Sequence, residues 1–164
     1  IVWQVKYSGN RILADKLGVL LYDAIMSELH ERNIFDLPAG RQEKGAVILM
    51  PMPISDKRRF ERGWNQAELL SEAVKRRDNS KQFKYLPRQL VKIRHTESQT
   101  KTATRNERQN NLKNSMAVLN PLAVRGRTIV LVDDVITTGS TLAEAKRALK
   151  EAGAKKVLCI AVAH

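Results

Sequence analysis

TIVLVDDVITTGSTLAEAKRALKEAGAKKVLCIAVA, residues 128–163, is the stretch from which the fold is read. Its opening TIVLV is an unbroken apolar run of the kind found in strands covered on both faces, so 128–134 is expected to be a strand. Residues 140–153 carry a helical pattern with Gly153 as terminator, and KVLCIAVA (156–163) reads as the closing buried strand. Strand, helix and strand in that order form a right-handed βαβ unit. The sheet is therefore expected to be mostly parallel, with helices on its faces.

Working outward, SMAVL (115–119) and LVKIR (90–94) read as strands, and AVILMPMP (46–53) as a short buried strand stopped by prolines that cannot serve a central ladder. Ile12, Leu13, Leu17, Leu20, Leu21, Ala24, Ile25 and Leu29 recur at three- and four-residue spacing, which predicts an amphipathic helix over 10–31. AELLSEAVKRR (67–77) is a second helical pattern, with Asn65 placed as its N-cap. Between them, 33–45 carries Pro38, Gly40 and Gly45 and reads as loop, and ISDKRRFERGWNQ (54–66) reads as a loop dense in basic residues. Residues 95–114 are poor in apolar residues and rich in Thr, Arg, Asn and Gln, a functional flap or a disordered stretch. There is no internal repeat, and 1–164 is expected to be a single domain able to bury its own core.

The chain carries a net charge of +12 and a pI near 10.1. Such a field attracts polyanions: nucleic acid, an acidic membrane surface or a highly phosphorylated small molecule. Its one cysteine, Cys159, lies in an apolar run and has no partner for an internal disulfide, which fits a reducing compartment. No apolar stretch reaches the roughly 18 residues of a membrane span, so no membrane insertion and a cytoplasmic location are expected. The chain opens on Ile1, and a leading segment is expected to be missing.

In an open parallel sheet, ligands bind beyond the carboxyl ends of the strands. Asp133 and Asp134 emerge there, followed by Thr137, Thr138, Gly139, Ser140 and Thr141, whose amides and hydroxyls precede the positive end of a helix. Gly139 would let the backbone approach a phosphate without a Cβ in the way. The two halves together describe a ribose 5-phosphate, with acids for the 2′ and 3′ hydroxyls and the loop for the phosphate. Two blander readings stay open: solvated turn acids, and Ser140 or Thr141 as a mere N-cap. A Walker B strand is disfavoured because no G-x-x-x-x-G-K-[ST] occurs, and a dinucleotide site because no G-x-G-x-x-G follows a strand. His30 reads as surface, His95 opens the polar stretch and His164 ends the chain, none at metal-ligand spacing.

VLVDDVITTGSTLAEA (130–145) resembles the phosphoribosyl pyrophosphate (PRPP) binding signature of type I phosphoribosyltransferases. More narrowly, KYSGN (6–10), PMPISDKRRFERGWNQAELL (51–70) and KIRHTESQTKTATRNERQNNL (92–112) are similar to the ComF family, whose members include proteins of DNA uptake in competent bacteria. The resemblance runs from about residue 6 to the end. It implies an α/β fold of type I phosphoribosyltransferase kind, a twisted sheet with helices on both faces and a mobile flap. It makes 54–63 the pyrophosphate loop: of its cations Lys57, Arg58, Arg59 and Arg62, the set assigned to pyrophosphate is Lys57, Arg59 and Arg62. Gly63 would allow its close turn. It makes 95–114 the flap, with Arg94, Lys101, Arg105 and Arg108 closing over bound PRPP to neutralise the leaving group and keep water from a ribosyl cation. Mg²⁺ is expected to be held chiefly by ligand oxygens and water, with no protein metal cage. ComF-type proteins often carry an N-terminal cysteine-rich zinc module; with Cys159 as the one cysteine of this chain, that module is either absent or lost with the missing start.

Three functions compete: a phosphoribosyltransferase displacing pyrophosphate from C1′, with Asp133 and Asp134 at the ribose; an uptake factor that handles single-stranded DNA beside a DNA-translocating motor protein; and a PRPP sensor without turnover. Aromatic residues make up only 5% of the chain, thin for the stacking platforms of single-strand binders.

Overall fold

The computed structural model describes residues 11–34, 47–93, 114–136 and 139–163. Their elements are α1 (Arg11–Glu31), β1 (Val47–Pro51), α2 (Asp56–Arg62), α3 (Gln66–Arg77), β2 (Phe83–Tyr85), β3 (Leu90–Lys92), β4 (Met116–Val118), α4 (Pro121–Val124), β5 (Thr128–Val135), α5 (Ser140–Glu151) and β6 (Lys156–Ala163). Strands β2, β1, β5 and β6, in that order, form one sheet in which every pairing is parallel. β3 and β4 pair antiparallel as a separate two-stranded ribbon.

Alternation along β5 explains the layering. Ile129 and Leu131 join Ala145, Ala148 and Leu149 of α5, together with Leu90 and Met116 of the ribbon. Val130 and Val132 point the other way, into a core with Ala14, Leu21, Ile25 and Leu29 of α1 and Leu70 and Val74 of α3. A strand apolar at every position is thus covered on both faces, and the expected α/β sheet with helices on both faces is what forms. The chain leaves β1 for β2 through α3 and leaves β5 for β6 through α5, on opposite faces. Between the carboxyl ends of β1 and β5 the connections diverge, and this is the crevice where open α/β sheets place ligands.

Several local expectations are corrected. In α1 the buried stripe is Ala14, Gly18, Leu21, Ile25 and Leu29, whereas Ile12 and Leu20 are 73% and 66% exposed, being out of phase with the face that meets α3. Gly18 sits where α1 meets α3: a Cβ there would lie 2.5 Å from Ala73 Cβ. Pro51, expected to stop β1, is its last paired residue, opposite Val132. It is tolerated because β2 pairs only with Val47, Ile48 and Leu49, so no strand flanks Pro51 on that side.

The stretch read as a basic loop contains α2, a helix that buries no residue of its own. Its ends hold it: Ser55 Oγ accepts from the Arg58 amide at 3.3 Å, and Gly63, at φ 78°, donates its amide to Arg59 O at 2.8 Å. β2 and α4 were not among the expected elements. The segment expected to act as a flap lies outside the described residues except for Asn114.

Candidate functional site

The crevice at the carboxyl ends of β1 and β5 is a cleft of about 250 Å³. One wall is the end of β5, with Asp133 and Asp134. A second is the start of α5, with Gly139, Thr141 and Leu142. Opposite them stand Pro53 and Ile54 after β1, Arg58 and Arg62 of α2, and Asn65 and Gln66 at the start of α3. Lys92, the last residue of β3, closes the ring.

β5 brings the two acids to the cleft while still paired, Asp133 opposite Ala161 and Val135 opposite Ala163. Asp133 Oδ1 accepts from the Asp134 amide at 2.8 Å, and Asp134 Oδ1 accepts from the Val135 amide at 3.0 Å. Burial pushes the Asp133 carboxyl up to about 7, and the side-chain interaction and charge repulsion with Asp134 add to the rise, while the Asp134 amide and Lys92 oppose it. Burial lowers the Lys92 ammonium, and Arg58 adds to that effect while Asp133 counters it. The cleft therefore juxtaposes a reluctant anion, Asp133, with a reluctant cation, Lys92, a charge pattern that a phosphorylated ligand with hydroxyl groups would relieve on both sides.

Gly139 precedes α5 at φ 71°, the left-handed region that favours glycine. A Cβ there would meet no protein atom within 4 Å, so the backbone conformation by itself calls for glycine at this position. Thr141 lines the cleft, whereas Ser140 is buried beside it. Thr137 and Thr138 lie outside the described residues, as do Arg94 and Lys101, Arg105, Arg108, His95 and His164.

Asn65 is the expected N-cap and more. It is 3% exposed; its Oδ1 accepts from the Ala67 amide at 3.1 Å and its Nδ2 donates to Met52 O at 3.0 Å. One side chain thus pins together both ends of the excursion that carries α2.

Helical phase divides the basic residues of α2. Arg58 and Arg62, four apart, share the face toward the cleft, and neither has a carboxylate partner among the described residues. Arg59 turns away, pairs with Glu68, and lines a second crevice of about 390 Å³ with Pro87, Arg88, Leu90 and Leu119. Lys57 is exposed and lines neither space. Of the cations first assigned to pyrophosphate, then, Arg62 is at the cleft, and Arg58 stands where Arg59 was expected. Gln66 and Lys92 were missed; a helix over 56–62 would have exposed the Arg58/Arg62 pairing, but nothing local marks Lys92.

Among the described residues no cluster of three or more His, Cys, Asp or Glu is placed to hold a metal ion, and no helix is long and apolar enough to cross a membrane. His30 lies on the surface of α1, with Met26 O accepting from its Nδ1 at 2.7 Å. Burial, with Asp133 second, pushes the Cys159 thiol up to about 12.

The pattern of the family described as "Phosphoribosyl transferase domain" matches residues 73–164. Among curated proteins, the chain is 31% identical over 158 residues to "Competence protein F" of Haemophilus influenzae, covering 96% of this chain and 63% of that one. It is 32% identical over 157 residues to "DNA utilization protein YhgH" of Escherichia coli (strain K12), again 96% and 63%, and 28% identical over 170 residues to "Competence protein ComFC" of Bacillus subtilis, 93% and 65%. The chain therefore spans just under two thirds of the length of these relatives. Of solved structures, a phosphoribosylpyrophosphate synthetase from Mycobacterium smegmatis aligns with TM-score 0.46 and 20% identity over 89% of this chain and 32% of that one.

Proposed function

The chain belongs to the phosphoribosyl transferase domain family, and we propose that it is of the ComF branch to which its relatives' names point and that the cleft between β1 and β5 binds PRPP. The observation that carries this reading is the meeting of three elements in one crevice: two acids at the end of β5, the N-terminal turn of α5, and Arg58 and Arg62 facing both. Carboxylates accept from vicinal hydroxyls, so Asp133 and Asp134 take the ribose 2′ and 3′ hydroxyls. The amides around Gly139 and Thr141, at the positive end of α5, take the 5′-phosphate. Arg58 and Arg62 take the pyrophosphate, two donors to each set of oxygens.

If the chain is an enzyme, the C1′–O bond to pyrophosphate breaks and an acceptor adds to C1′ from the face away from α2. Arg58 and Arg62 then stabilise the charge that grows on the departing oxygens. The hard oxygen donors of Asp133 and Asp134 fit Mg²⁺, which they would hold through water and ligand oxygens and which would supply further neutralisation of the pyrophosphate.

Calorimetric titration of PRPP with Mg²⁺ tests this. The wild type should bind, and the Asp133→Ala/Asp134→Ala double variant, its fold checked by circular dichroism, should not. A folded wild type that takes up no PRPP would sink the reading.

A second role, in DNA uptake, is favoured by the names of the relatives and by the net charge of +12. Phe60 supports it: the ring is 93% exposed on α2, one helical turn from Lys57 and on the side away from the cleft, where a base of single-stranded DNA would stack while cations of the helix meet phosphates. On this reading the domain works in the cytoplasm beside a DNA-translocating motor protein. Binding of an oligonucleotide should weaken steeply with salt and should weaken again in Phe60→Ala; salt-independent binding would argue against it.

A further inference from the structure

We propose that Glu144 is a positioning residue for the pyrophosphate side of the cleft: its carboxylate ties α5 to the rung of the ribbon that carries Lys92, and so sets where that ammonium stands. The inference rests on the PRPP reading above.

Glu144 is 5% exposed, and a carboxylate so buried is costly unless its oxygens are fully engaged. They are. Oε1 accepts from the Ser115 amide at 2.8 Å, the Met116 amide at 3.2 Å and Arg147 Nη2 at 2.8 Å; Oε2 accepts from Arg147 Nε at 2.9 Å. Arg147 reaches on to Met116 O at 3.3 Å and to Glu151. The arginine, through its hydrogen bonds, is the main reason the Glu144 carboxyl is held below the usual range.

An apolar side chain at 144 would fill the same space, but it would not choose which ribbon residues it met. Two successive amides converging on one oxygen do choose. The choice matters because the ribbon has only three residues in each strand and no ladder to the four-stranded sheet. Its rungs follow from the anchor. Met116 pairs with Lys92, and Ser115 O accepts from the Ile93 amide at 2.9 Å. Glu144 thus grips the ribbon at the level of Lys92, whose side chain lines the cleft with Arg58 and Arg62. The same carboxylate sits one turn into α5, whose first residues face the cleft at the end taken by the 5′-phosphate. A single helix therefore spaces the two ends of the ligand.

Removing the ammonium, Lys92→Met, should weaken PRPP and inorganic pyrophosphate by about 10-fold or more, the loss of one charge-assisted contact, and leave ribose 5-phosphate little changed. Glu144→Gln should do the same to a lesser degree, with the same spared ligand. In the double variant the two effects should fall well short of adding, because Glu144 acts through Lys92. If Glu144→Gln fails to fold, Arg147→Lys, which keeps the charge and loses the fork, serves in its place. The proposal is overturned if Lys92→Met has no effect, if Glu144→Gln weakens ribose 5-phosphate as much as pyrophosphate, or if the two losses add. A wild type that binds none of the three ligands would instead overturn the PRPP reading itself.

Discussion

Replacing Gly18 with alanine tests the packing that places α3, and hence Asn65, at the cleft. In an isolated helix the change should help, by about 1 kcal/mol of propensity. Here the new Cβ would lie 2.5 Å from Ala73 Cβ and 3.0 Å from Ala73 C, against an ordinary carbon contact of about 3.5–4.0 Å. Neither neighbour has a rotamer to turn, so the two helices must separate by about 1 Å or the backbone must strain. Overpacking of this kind costs about 1–3 kcal/mol, and with no flexible atom to yield, the upper half of that range is expected. The net loss is then about 1–2 kcal/mol, with the sign opposite to propensity. Urea unfolding of four proteins measures it: wild type, Gly18→Ala, Ala73→Gly and the double variant. Ala73→Gly alone should cost about 1–2 kcal/mol from propensity and a lost buried methyl, yet in that background Gly18→Ala should cost about 1 kcal/mol less than it does in the wild type, since its closest contact is gone. A Gly18→Ala variant as stable as wild type, or one equally damaging in both backgrounds, would refute the close crossing.

Arg62→Ala should weaken PRPP about 10-fold or more, one charge-assisted contact, whereas Arg59→Ala, which breaks only the half-exposed pair with Glu68, should change affinity less than about 3-fold; titrations of the two variants side by side decide it. PRPP affinity should rise with pH through about 7, because hydroxyl donors require Asp133 ionised and binding expels its proton; Asp133→Asn, compared over the same range, should lose that rise and leave only the ligand's own titration. In the unliganded protein the sign is opposite: with the carboxyl raised from 3.8 to about 7, the folded state keeps a proton that the unfolded chain has lost, so its contribution makes unfolding easier as pH climbs across that window. Asp78 is buried at the end of α3 and accepts from the amides of Gln82 at 2.8 Å and Phe83 at 2.9 Å and from Lys75 Nζ at 2.7 Å. Asp78→Ala, which leaves those donors unmatched, should lower the unfolding free energy by about 3 kcal/mol in the same urea assay.

What the sequence made legible follows from how strongly each element depends on its own residues. β5, α5 and β6 are long and uniformly patterned, so their type and order were readable, and with them the parallel sheet and the place of Asp133 and Asp134. α2 was not, because it buries nothing and has no apolar stripe; only Ser55 before it and Gly63 after it mark a helix, and a run of charges hid both. The division of labour between Arg58 and Arg59 depended on that missed helix, since neighbours in a loop are interchangeable and neighbours on a helix are 100° apart. Lys92 reaches the cleft only because a distant residue, Glu144, holds the ribbon in place, and no local pattern encodes a contact between residues 28 or 29 apart. β2 escaped notice because three residues bounded by polar ones carry too little pattern to declare a strand.

The detachment of the ribbon from the large sheet gives the floor of the cleft and its far wall different lifetimes. Amides of β5 sit beneath helices on both faces with a parallel neighbour on either side, so their exchange with solvent hydrogen should await unfolding of the whole domain. Those of β3 and β4 depend on three rungs, two buried side chains and one carboxylate, and should exchange through a smaller, more frequent opening. A ligand that bridges floor and wall would slow exchange most in the ribbon, reporting its arrival at amides it never touches.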